Sequence, residues 1–177
     1  AHFEKFNRKW GFSFHHNCVN AYALFKNHYD LYKSNKTTIK PFIDITDNSS
    51  IKEQLNKIES DYDFEHIENF EKEENSMAYV VQKYSMGYDF NKIDYIIFSD
   101  PKLSISDIIQ SIGRGTRPDG QGPNGSNLNK YLAIMIPIFI DNTADTDYDR
   151  IAGVLRYLIH ILEKGYVGAN HKNMSKE

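Results

Sequence analysis

Residues 94 to 117 read D-Y-I-I-F-S-D-P-K-L-S-I-S-D-I-I-Q-S-I-G-R-G-T-R. The first five, Asp94 to Phe98, form a compact apolar run of strand length. Ser104-x-x-Asp107 is a helix-start pattern in which a short hydroxyl caps the first free N–H groups. Behind it Ile105, Ile108, Ile109 and Ile112 fall at i, i+3, i+4 and i+7, which predicts an amphipathic helix with its isoleucines turned inward. Gly115 and Pro118 end that helix. A buried strand, a loop and a helix in this order make up one repeating unit of an α/β layer fold.

The same alternation extends in both directions. Upstream, the aromatic run around Phe12 to His15 predicts a strand, and Asn17 caps a helix carrying Ala21, Tyr22, Phe25, Tyr29 and Tyr32 at helical spacing. Ile39 to Ile45 reads as a second strand. Ser50-x-x-Glu53 opens a polar helix through Leu55 and Ile58, and Asp61 to Asn75 reads as a charged helix anchored by Ile67 and Phe70. Met77 to Tyr84 reads as a strand. Downstream, residues 118 to 127 are turn-rich, Tyr131 to Ile140 is the strongest apolar run, and Asp145 to Lys164 is amphipathic on Ile151, Leu155, Leu158, Ile159 and Leu162. The expected architecture is α/β with a mostly parallel sheet flanked by helices, and ligands at the carboxyl ends of its strands. A boundary is expected near residue 142, with 1–142 as the main domain and 143–177 as a helical segment or the start of an extension.

The composition is 40% hydrophobic and 14% aromatic, enough for a packed core and unlike a disordered chain. A formal net charge of −3 means that any nucleic-acid role rests on a local patch rather than on a basic surface. The single cysteine, Cys18, allows neither an internal disulfide nor a C-x-x-C zinc pattern. No apolar run reaches the ~18 residues of a membrane span, and no signal peptide is visible. The expected setting is intracellular, cytoplasmic or nucleoid-associated, with no membrane partner. Beginning at Ala1, the sequence is read as a segment of a longer protein.

Chemistry concentrates at the end of the Ser104 helix. At 100° per residue, Gln110 and Arg114 are expected opposite the isoleucines, with Arg117 following on that side. Arg114 and Arg117 are the only arginines between Arg8 and Arg150, in a chain that otherwise prefers lysine. A planar, always charged, bidentate guanidinium suits phosphate. The bland reading is a solvated helix face with incidental arginines.

Q-S-I-G-R-G-T-R resembles motif VI of superfamily 2 helicases and translocases, Q-x-x-G-R-x-x-R. Tyr84-Ser-Met-Gly-Tyr-Asp89-Phe resembles motif V of that superfamily, with its G-x-D core. G-F-S-F-H-H and the helix after it resemble motif IV. The resemblance covers roughly residues 10 to 140 and is nearest to restriction-enzyme-like and large-DNA-virus types. DEAD-box proteins usually carry His where Gln110 stands. It implies the C-terminal, RecA-like domain of a two-domain motor, a three-layer α/β unit.

Roles follow by position. The resemblance implies that Arg114 and Arg117 reach across a cleft to the β- and γ-phosphates of ATP, while Gln110 senses the γ-phosphate or the attacking water. Gly87, Asp89 and Gly113 would adjoin the nucleotide. Nucleic acid, DNA rather than RNA, would be gripped through its phosphates by His15, His16 and Asn17, by Lys83 and Ser85, and by Lys102. ATP with Mg2+ would be held mainly by an N-terminal RecA-like domain of the same protein, because no G-x-x-x-x-G-K-[ST] loop or D-E-x-x box occurs here. The isolated chain is therefore expected to have little ATPase activity. The alternative is a non-catalytic α/β nucleotide- or nucleic-acid-binding module, which leaves the Gln110, Arg114 and Arg117 cluster unexplained.

Overall fold

The structure, a computed structural model, describes residues 8–45, 51, 53, 67–81, 90–100, 104–117, 131–136, 151–157, 159 and 160. Strand β1, Trp10–His15, is buried at every position. That continuous burial belongs to a strand covered on both faces, not to a half-exposed one. Asn17 caps helix α1, Cys18–Lys33, its side chain accepting the Asn20 N–H at 2.8 Å. Then come β2, Lys40–Asp44, helix α2, Ile67–Lys72, and β3, Ser76–Val81. Strand β4, Tyr95–Phe98, leads to helix α3, Ile105–Gly115, and strand β5, Ala133–Met135. Residues 151–157 form a further helix, α4.

The five strands lie in the order β2-β3-β1-β4-β5, and every pairing is parallel. Phe12 sits level with Ala78 on one side and Ile96 on the other. Parallel neighbours need crossovers, and right-handed crossovers assign each helix to a face by the direction of travel. The step from β1 to β2 runs one way and carries α1 over one face. The later steps run the other way and carry α2 and α3 over the opposite face, where Ile151 and Val154 of α4 join the same core. The result is a three-layer α/β unit.

Alternation along β1 divides its residues between the two layers. Trp10, Phe12 and Phe14 enter the larger core, with Phe42, Ala78, Val80, Ile96 and Phe98 from the sheet and Phe70, Ile108, Ile112, Ile151 and Val154 from the helices. Phe12 stacks on Phe70 at 5.5 Å and Phe14 on Phe98 at 6.0 Å between ring centroids. Under α1, Phe25, Tyr29, Ile43 and Ile51 form a smaller cluster against Tyr79. Residues 151–157 thus add Ile151 and Val154 to the main core.

Two expectations change on inspection. Tyr131 to Ile140 is the strongest apolar run in the sequence, yet its described strand is the short β5, an edge strand whose three residues are all half-buried. Among the described residues β5 pairs with β4, and its side chains pack on the two core clusters either side of the sheet. The Ser104 helix is also turned from its expected setting. Ile108 and Ile112 are buried, but Ile105 and Ile109 are 55% and 43% exposed. Ser111, Arg114 and Gly115 complete the buried side instead. At 100° per residue, that side is rotated by about 80° from the centre of the isoleucine stripe. Ser111 tolerates full burial because its hydroxyl donates to the Asp107 carbonyl at 2.7 Å. The readings over residues 54–66, 118–130 and 137–150 lie outside the described residues. Among the described residues, no helix is long and apolar enough to cross a membrane.

Candidate functional site

Adjacent parallel strands whose following helices leave to opposite faces open a crevice at their carboxyl ends. In this sheet β1 and β4 are such a pair, α1 leaving to one face and α3 to the other. Among the described residues, that crevice holds His15 at the end of β1, His16 and Asn17 after it, and Ser99 and Asp100 after β4.

His15 is the last residue of β1 and only 3% exposed. Its Nε2 lies 2.8 Å from Ser13 Oγ, which in turn lies 2.7 Å from Ser99 Oγ. Its Nδ1 faces Asp100 Oδ2 at 3.7 Å, too far for a hydrogen bond, and is buried without a hydrogen-bond partner. The nearby carboxylate favours the ring proton on Nδ1, so Nε2 accepts from Ser13, and Ser13 accepts from Ser99. Burial lowers the His15 pKa from 6.5 to about 4, with Asp100 opposing in part. The ring is therefore neutral at neutral pH. It also lies 5.8 Å from the Tyr79 ring, whose hydroxyl is 2.9 Å from His28 Nδ1. Burial lowers the His28 pKa and raises that of Tyr79.

The His15 side chain is buried against Asp100 rather than exposed at the crevice, so a phosphate meets it only where it replaces that carboxylate. His16 and Asn17 are exposed on the turn. Asp100 reaches that turn from β4. Its carboxylate accepts the His16 N–H at 2.9 Å and the Asn20 side-chain amide at 3.1 and 3.2 Å. Part of the donor set expected to hold phosphate is thus already engaged. Sequence reading missed Ser13, Asn20, Ser99 and Asp100. Two clues were available: Ser13 shares a strand face with His15, and S-D directly follows the D-Y-I-I-F strand at its carboxyl end.

The other cluster lies at the opposite end of the sheet. Helix α3 runs back against the strands, so its last turn comes near the amino ends, beside the residues that enter β5. A Cβ on Gly115 would meet Leu132 Cδ1 at 2.2 Å, so only glycine allows that approach. The Arg8 guanidinium donates to the Tyr131 carbonyl nearby. Gln110 is exposed, with its amide 3.4 Å from Ser106 Oγ. Arg114 is only 6% exposed, whereas Arg117 is half-buried on the bend after the helix. The expectation that Gln110 and Arg114 share an outer face is corrected: the helix rotation turns Arg114 inward and leaves Gln110 out. A Cβ on Gly113 would meet nothing within 4 Å.

His15, His16 and Asn17 are thus brought together, as are Gln110, Gly113, Arg114 and Arg117, about one strand length apart. Lys83, Ser85, Gly87, Asp89 and Lys102 lie outside the described residues. Among the described residues, no group of three or more His, Cys, Asp or Glu side chains is placed to hold a metal ion.

The chain is similar to the solved C-terminal domain of the DEAD-box protein Dbp5, with 14% identity, 85% of each chain covered and a TM-score of 0.40. No family model and no curated protein matches the chain.

Proposed function

We propose that this chain is the second motor domain of an ATP-dependent nucleic-acid helicase or translocase. The observation that carries the reading is the stretch Gln110 to Arg117, with two arginines at the end of a helix that packs on a fully parallel sheet. Arg117, the less buried of the two guanidiniums, acts as the finger on the β- and γ-phosphates. Arg114, folded inward, fixes the last turn from which Arg117 projects and contributes positive potential there. Gln110 faces out and orients the attacking water. The open space at Gly113 leaves room for a nucleotide to approach the helix. ATP with its Mg2+, held by an N-terminal RecA-like partner domain, supplies the phosphoryl group. The nucleic acid, DNA in the first instance, lies at the other end of the sheet along the His16–Asn17 turn, with Lys83, Ser85 and Lys102 as further contacts and Gly87 and Asp89 beside the nucleotide.

The test uses the full-length protein. An arginine finger is worth on the order of 10³–10⁵ in rate. Arg117→Ala should cut ATP hydrolysis by about that factor with ATP binding and thermal stability little changed. Arg114→Ala should cut hydrolysis and also lower the unfolding temperature, because it empties a buried site. Wild-type hydrolysis in both variants overturns the reading.

A further inference from the structure

We propose that the Asp100 carboxylate occupies, within the chain itself, the oxyanion position at the amino terminus of α1, and that a nucleic-acid phosphate must displace it to bind there. This rests on the nucleic-acid reading above and assigns a residue that controls the affinity of that track.

Three donors converge on one point at the crevice between β1 and β4. Two are the His16 N–H and the Asn20 side-chain amide, at 2.9 Å and at 3.1 and 3.2 Å from Asp100 oxygens. The third is His15 Nδ1, fully buried and aimed at the same carboxylate, but 3.7 Å from it and without a hydrogen-bond partner. A planar carboxylate with two oxygens satisfies the first two donors and leaves the third short. A tetrahedral phosphate offers more oxygens and a larger radius, and so can reach the His15 N–H as well. The position also lies at the start of a 16-residue helix, whose dipole favours an anion. Asp100 supplies that anion in the unbound chain. Its negative charge repels a phosphate, and its hydrogen bonds withhold the donors the phosphate needs. The two anions cannot share the site.

Asp100→Asn keeps the size and one acceptor oxygen while removing the charge. Fluorescence anisotropy with a short labelled single-stranded DNA at fixed low salt should show Asp100→Asn binding tighter than the wild-type chain, by about three- to tenfold. Adding Asn20→Ala should remove most of that gain. Equal or weaker binding by Asp100→Asn overturns the inference, since a carboxylate that only braces the turn would weaken binding when neutralised. A second measurement needs no variant. In heteronuclear NMR of the unaltered chain, the His16 amide and the Asn20 side-chain NH2 should shift on addition of the DNA, together with the Asp100 carboxyl carbon. Shifts elsewhere with these three unmoved overturn the inference and leave the nucleic-acid reading standing. Absence of binding by both proteins overturns that reading and the inference with it.

Discussion

Acid should destabilise this protein, and the buried imidazole of His15 is one reason. In the unfolded chain the imidazole titrates at its ordinary 6.5; in the folded chain burial holds it at about 4. Between those values the unfolded state binds a proton that the folded state refuses, so stability rises with pH. His15's contribution is fully present above about pH 6.5 and is lost as the pH falls toward 4. The gap corresponds to about 3 kcal/mol, and near its middle the slope is about 1.2 kcal/mol per pH unit. For a domain holding on the order of 5–15 kcal/mol in total, that is a large fraction. Urea unfolding of the chain between about pH 5 and 6.5 avoids most carboxylate titration and reads the slope directly. His15→Gln keeps an acceptor for the Ser13 hydroxyl and cannot be protonated, so its slope should be clearly shallower. The lowered pKa of His28 leaves a residual slope of the same sign. Parallel stability curves for wild type and His15→Gln would refute the reasoning.

The rotated setting of α3 predicts that Ile108→Ala costs about 2–5 kcal/mol. Ile105→Ala, on the same isoleucine stripe but exposed, should cost less than about 1 kcal/mol, and urea titrations of the pair will show the difference. Gly113→Ala meets open space within a helix and should raise stability by about 0.5–1 kcal/mol, whereas Gly115→Ala drives a methyl into Leu132 and should cost about 1–3 kcal/mol, read as opposite shifts in Tm. If Gly113 also gives room to a nucleotide, the stabilised Gly113→Ala form of the full-length protein should bind ATP more weakly.

The fold was legible because its strands and helices each carry a period of their own. Asp94 to Phe98 and the capped helix behind it could be read from apolar spacing and one serine. The setting of α3 was not, because four isoleucines define a stripe without saying which part of it meets the sheet. Ser111 and Gly115, both silent in a hydrophobicity pattern, let the helix approach on their side. The arginine pair was visible as a choice of residue type, but Arg114's inward turn depends on that approach. At the crevice, His15 and His16 look alike as neighbours in sequence. Strand alternation buries one against Asp100 and leaves the other on the turn. Asp100 lies 84 positions from His16 along the chain, and only the strand order β1-β4 brings the two together.

The division of β1 between its two faces also makes the sheet self-correcting. A slip of one position against β3 and β4 would push Ser13 and His15 among Phe70, Phe42 and Ile108, stripping the hydroxyl from Ser99 and the imidazole from Asp100. It would drive Phe12 and Phe14 into the polar seam in exchange. Burying those groups without partners costs more than any apolar contact the slip could recover. The two polar residues at the centre of an aromatic sheet therefore act as a key: they fit one alignment of the central strand and reject its neighbours.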